Sequence, residues 1–218
     1  MISFAFKTRE KAYLVTQTTL SDNIMRIKES KDEVTKIDGI LVHLSGHQRD
    51  SYRLGLFLKE CENFFKTVYG KKVNHEIIKK ECVDRIYNAV RSNLPKEVGA
   101  TILSVENEEF KLCSVDNYGA TNENGFITTN YGVYFLYGLA DTFYSENLTH
   151  DESVDFINLC IKALKEKMIL DSSHWRLDLL DKNGEHSVQY LKWDNKRKSA
   201  IINKFIMIHT CLQLNYNE

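Results

Sequence analysis

Residues 128–186 read TTNYGVYFLYGLADTFYSENLTHDESVDFINLCIKALKEKMILDSSHWRLDLLDKNGEH, and this stretch decides the fold. Gly132 to Tyr144 predicts a helix, Ser145 to Leu148 a polar turn, and His150 to Ile169 a second helix. Trp175 to Leu180 predicts a strand, which Asp181-Lys182-Asn183-Gly184 then reverses. The second helix carries the firmest marks. Thr149 and Glu152 stand in capping-box relation, and Val154, Ile157, Ile161, Leu164 and Met168 recur at helical spacing. Two consecutive helices followed by a hairpin imply a helical layer lying on a sheet.

Working outward, Ile2, Phe4 and Phe6 alternate with Ser3, Ala5 and Lys7, and Ala12-Tyr13-Leu14-Val15 follows a polar turn, which predicts an N-terminal hairpin. Thr18 to Asp32 reads as a loop with some extended structure. Val34 to Ile37 and Ile40 to Leu44 form a second strand pair around Asp38-Gly39. Two helices come next. Leu54, Phe57 or Leu58, Cys61, Phe64 or Phe65, and Val68 mark the face of one, which Gly70 stops. Asn74 caps the other, whose face runs through Ile78, Cys82, Ile86, Tyr87 and Val90 until Pro95. The short connection between them makes an antiparallel helix hairpin. Val98 to Val105, Phe110 to Val115 and Phe126 to Thr129 read as further strands. Strand groups alternating with helix pairs give an α+β chain, best satisfied by two antiparallel sheets packed face to face with a helix pair outside each: a four-layer αββα sandwich.

Composition narrows the function classes. The 218 residues carry 29 basic and 30 acidic side chains, a net charge of -1, which leaves no electrostatic footprint for nucleic acid. Hydrophobic residues at 43% and a single proline fit a chain with a substantial core. No apolar run is long enough for a membrane span, and the start lacks the layout of a signal peptide, so an intracellular protein is expected. Its five cysteines, Cys61, Cys82, Cys113, Cys160 and Cys211, are scattered without a C-x-x-C pair, and neither metal nor cofactor is expected. His43 and His47 are separated by Leu44-Ser45-Gly46, which breaks the helix a metalloprotease motif needs. Asp178, Asp181 and Glu185 read as turn and strand-edge polar residues. The helix rich in Tyr131, Tyr134, Phe135, Tyr137 and Tyr144 reads as core and subunit contact.

Several fragments together resemble the proteasome beta subunits, of the N-terminal nucleophile hydrolase class. They are Ser45-Gly46 with Asp50, Gly132 with Tyr137-Gly138-Leu139-Ala140-Asp141, Leu159-Cys160, Glu166-Lys167-Met168, and Asp181-Lys182-Asn183-Gly184. The chain starts at the first strand, as a beta subunit would. Within the family it is most similar to the beta type-2 branch, the fourth position of the eukaryotic beta ring. The resemblance covers residues 1–191. Residues 192–218, basic from Lys192 to Lys198 and amphipathic through Ile201, Phe205, Ile208 and Leu212, are expected as a helical extension contacting a neighbouring subunit.

The resemblance implies a threonine nucleophile, an acid on the second strand, a lysine beyond it, and a supporting serine. It places Met1 at the nucleophile, Gln17 at the acid, Glu33 at or beside the lysine, and Val133 at the serine. A thioether neither attacks a carbonyl nor donates a proton. Asp171 matches the family aspartate, and Gly46-His47 the oxyanion turn. The expectation is therefore a noncatalytic subunit of the 20S core, in cytoplasm and nucleus. Its expected partners are neighbouring beta subunits, alpha-ring subunits and the opposite beta ring. The alternative is a free-standing hydrolase of the same fold with a rearranged or processed nucleophile, such as an exposed Ser3.

Overall fold

A computed structural model describes residues 2–22, 25–28, 34–168 and 174–192. Met1, Glu33, Asp171 and the extension beyond Lys192 lie outside the described residues. The chain opens with β1 (Ser3–Lys7) and β2 (Lys11–Gln17), then β3 (Leu20–Asp22) and β4 (Met25–Lys28), then β5 (Val34–Ile37) and β6 (Ile40–Gly46). Helices α1 (Gln48–Tyr69) and α2 (His75–Arg91) follow, then β7 (Val98–Glu106), β8 (Glu109–Val115), β9 (Thr121–Asn122) and β10 (Phe126–Thr128). Helices α3 (Gly132–Phe143) and α4 (His150–Lys167) and the hairpin β11 (His174–Asp181) and β12 (His186–Lys192) complete it.

The strands form two five-stranded antiparallel sheets, ordered β10-β1-β2-β11-β12 and β5-β6-β7-β8-β9, with β3-β4 as a separate pair. Alternation along each strand sends side chains to opposite faces, so each sheet feeds two cores. Phe4, Phe6, Tyr13, Val15, Trp175 and Leu177 pack with Leu136 of α3 and Phe156, Cys160 and Leu164 of α4. Val42, Leu44, Ile102 and Val115 pack with Leu54 and Leu58 of α1 and Ile78, Cys82 and Ile86 of α2. The opposite faces meet each other through Ala5, Leu14, Leu41, Leu103, Leu112 and Leu180. Three cores between four layers make the αββα sandwich.

Local chemistry sets the helix ends. The Thr149 hydroxyl accepts from the Glu152 amide, and the Glu152 carboxylate accepts from the Thr149 amide at 2.9 Å. Asn74 caps α2 by accepting from the Ile77 amide at 2.9 Å. Gly70 ends α1 at φ 62°, a left-handed conformation that glycine adopts without a Cβ penalty.

The structure departs from the sequence reading at several points. Phe64, Val68 and Tyr87 are exposed, and Ala89 takes the buried position on α2. The segment after Gln17 contains the β3-β4 pair, and β9 is a strand of two residues that periodicity did not mark. Asp178 is no strand-edge residue: it is 0% exposed, held by Arg176 through two bonds of 2.8 and 2.7 Å and by His186 Nε2 at 2.7 Å.

Candidate functional site

The layer between the sheets is apolar over much of its extent and polar elsewhere. The faces that supply Ala5, Leu14, Leu41, Leu103 and Leu180 also carry, by the period of two, Ser3, Thr16, His43, Thr101, Arg176 and Asp178. All six are buried. Buried polar groups are costly unless hydrogen-bonded, and most of these are bonded to one another.

Ser3, first residue of β1, joins His43 to Thr129, apart from the Arg176–Asp178 pair. Its hydroxyl lies 3.0 Å from His43 Nδ1 and 2.9 Å from the Thr129 hydroxyl. Its carbonyl accepts from the Thr128 hydroxyl at 3.1 Å and from the Thr129 amide at 2.9 Å. His43 sits on β6 opposite Thr101 of β7. Complete burial pushes its pKa down to about 3, so the imidazole is neutral. Its Nε2 and the Thr101 hydroxyl have no partner among the described residues.

Gln17 ends β2 beside this cluster. Its amide oxygen accepts from the Ile2 backbone amide at 3.4 Å, and its own backbone amide donates to the Ile2 carbonyl at 3.0 Å. The structure therefore brings Gln17 to the start of β1, where the resemblance expects an acid. Val133, in the first turn of α3, stands 41% exposed at the rim of an adjoining cavity. Met1, Glu33 and Asp171 cannot be placed beside them, being outside the described residues.

The turn from β6 into α1 is built on Gly46, at φ 118°. A Cβ there would overlap the Glu97 carbonyl oxygen, to which the His47 amide donates at 2.6 Å. Asp50, buried in the first turn of α1, accepts from the Glu97 amide at 3.3 Å and from Arg49 Nε at 3.3 Å. The Ser45-Gly46 and Asp50 fragment thus ties β6, α1 and the segment entering β7 together.

A cavity of about 490 Å³ opens between this turn and the start of α3, lined by Ser45, Gly46, Glu97, Asp116, Thr129 and Val133 among others. Thr129 joins it to the buried cluster. Thr129–Ser3–His43 is a run of two hydroxyls and a neutral imidazole, and it can orient protons or hold β1 against β6. The sequence reading passed over it, although one signal was present. His43 and Ser45 are polar at alternate positions of the strand Ile40–Gly46, otherwise apolar from Ile40 to Leu44.

No group of three His, Cys, Asp or Glu residues able to hold a metal occurs among the described residues. Cys82, Cys113 and Cys160 are buried, and burial pushes all three thiols up, Cys82 and Cys113 to about 12, so they are inert. No helix of the described residues is long and apolar enough to cross a membrane.

Two sheets between helix pairs, with a polar cluster at the start of the first strand, define the architecture of the N-terminal nucleophile hydrolases. Residues 2–178 match the family model described as proteasome subunit, and the chain belongs to that family, among its beta subunits. It is 25% identical over 183 residues to the probable proteasome subunit beta type-4 of Encephalitozoon cuniculi, covering 84% of this chain and 92% of that protein. It is 18% identical to the proteasome subunit beta type-4 of Saccharomyces cerevisiae over 86% of this chain and 96% of the other. With the beta type-2 subunit of Oryza sativa it shares 22% identity over 81% and 84%.

Proposed function

We propose that the chain is a noncatalytic beta subunit of the 20S proteasome core particle, a structural part of the chamber in which ubiquitin-dependent degradation takes place. One observation carries the reading: the group at the acid position is the amide of Gln17, bound to the Ile2 backbone. A carboxamide holds no charge and takes up no proton, so it stabilises no cationic amine and serves no base. Val133 supports the same reading, because an isopropyl group cannot relay a proton. Met1 at the nucleophile position and Glu33 at or beside the lysine position agree with it.

In this role the chain contacts neighbouring beta subunits, alpha-ring subunits and the opposite beta ring, in cytoplasm and nucleus. Its place is the fourth position of the beta ring, the beta type-2 branch, and residues 192–218 clamp a neighbour. The free-standing hydrolase has one feature in its favour, the Ser3 hydroxyl 3.0 Å from an imidazole. Its chemistry is poor. A base whose pKa is near 3 gives up a proton too readily to draw one from a hydroxyl, and Ser3 is fully buried.

Native mass measurement of the endogenous protein tests the proposal. The chain should occur only in a large hetero-oligomer, should retain Met1 by intact mass, and should resist electrophiles that label N-terminal nucleophiles. A small active species with a processed Ser, Thr or Cys start would overturn it.

A further inference from the structure

The outer layer formed by α1 and α2 carries positive charge that the fold leaves uncompensated. After α2 the chain meets the first turn of α1, where Asp50 accepts from the Glu97 amide at 3.3 Å. Lys96, next to Glu97, is thereby held beside that turn. Arg53 lies one turn along α1 from Asp50, and Phe57 one turn beyond Arg53. Phe57 packs against the core beneath the helices, and the Arg85 guanidinium of α2 stacks over its ring, 4.5 Å from the centroid. Arg53 and Arg85 are exposed and Lys96 is half-buried, and none of these three cations makes an ion pair or a hydrogen bond through its side chain among the described residues. Asp50 is already engaged, one oxygen by Arg49 and the other by the Glu97 amide. Burial, then Arg85 and Arg53, push the Lys96 ammonium below the ordinary lysine pKa, against the pull of Asp50. An anion set among these cations would relieve their repulsion.

The surroundings state what kind of anion. Leu56, three residues from Arg53, is 43% exposed, and Tyr52, one turn before Leu56, is 67% exposed. Arginine beside exposed aromatic and aliphatic side chains fits a surface that meets another protein. Free phosphate would leave Leu56 and Tyr52 in water. An extended array of phosphates, on nucleic acid or membrane, would also meet Glu60, exposed one turn beyond Leu56; a single carboxylate need not. Arg85, braced on Phe57, is oriented before any partner arrives, which lowers the entropy lost on binding.

We propose that this α1–α2 face docks an acidic segment of a neighbouring subunit, whose Asp or Glu carboxylates bind Arg53, Arg85 and Lys96 while an apolar side chain seats against Leu56 and Tyr52. The docking face rests on the proposed function for the existence of that subunit, and adds to it a surface and a partner chemistry.

Carbodiimide coupling of the complex, purified through a tag on this chain, tests the contact, because it joins an amine to a carboxylate only where the two touch. Mass spectrometry should find Lys96 joined to an Asp or Glu of another subunit. Acetic anhydride should modify Lys96 at least about tenfold more slowly in the complex than in the free chain, as enclosure by a partner requires. Both measurements use the wild-type chain and stand even if a variant fails to fold. Arg53→Glu with Lys96→Gln should cut incorporation into the complex by about tenfold or more, since a carboxylate then faces a carboxylate. Arg53→Lys with Lys96→Arg keeps both charges and should incorporate as the wild type does. The urea midpoints of the free variants should stay at the wild-type value, because neither side chain bonds within the chain. Coupling of Lys96 to carboxylates of its own chain alone, equal acetylation of free and assembled chains, or normal incorporation of the Arg53→Glu, Lys96→Gln pair overturns the docking face and leaves the subunit role standing. Acetylation of Lys96 in the complex restored by nuclease or by detergent overturns it in favour of nucleic acid or lipid. A wild-type chain found with no other subunit removes the proposed function and the docking face with it.

Discussion

At the scale of single residues, His43 couples the interior to pH. Its pKa is about 3 in the folded chain and 6.5 in the unfolded one, so below 6.5 the unfolded state binds the proton more readily. Stability contributed by the neutral imidazole is complete above pH 6.5 and is lost progressively as pH falls toward 3. By pH 5 the loss reaches about 2 kcal/mol, read as a fall in the urea midpoint between pH 7 and pH 5. His43→Gln, which can keep a bond to Ser3, should flatten that fall. Some slope should remain, because burial also lowers the pKa of His75. Asp178 tests a different principle. Asp178→Ala removes the buried carboxylate that accepts two bonds from Arg176 and one from His186 and should cost about 3–5 kcal/mol, measured by chemical denaturation. These residues mark the limit of sequence reading. Gln17 is singled out by the family resemblance, which assigns it the acid position, whereas Asp178 reads as one of several turn-proximal acids. The pairing of β11 with both β2 and β12 makes it an inner strand, and Leu180, on the same face as Asp178, packs between the sheets.

At the scale of elements, local signals carried well and pairing signals did not. The start of α4 was readable because the capping box involves only Thr149 and Glu152, three residues apart. Thr149→Ala should destabilise the fold by about 1 kcal/mol, again by urea midpoint, and Thr149→Ser should restore most of it. The strand β9 could not be read: two residues have no periodicity, and Thr121 and Asn122 are a strand only because Val115 and Ser114 pair with them. The exposed Phe64 and Val68 illustrate a related ambiguity. Alternative residues were available for one apolar stripe on α1, and packing on the sheet selected Leu54 and Leu58.

At the scale of the whole molecule, the two sheets are assembled by different rules. One is a run of sequence neighbours, β5 to β9, whereas the other joins β1 and β2 to β10, β11 and β12 from the far end of the chain. Grouping strands by sequence therefore identified the layers without revealing which strands share a sheet. The proposed clamp sets an expectation for the extension. If residues 199–218 serve a neighbour and not the subunit's own fold, their deletion should change the urea midpoint of the free chain by no more than surface substitutions do, about 0.5 kcal/mol. If the extension clamps a neighbour, incorporation into the complex should fall steeply in the same variant, because the loss is of intersubunit contact alone. Comparing the two readings separates the roles: a lowered midpoint assigns the extension to the subunit's own fold, and normal incorporation removes the clamp.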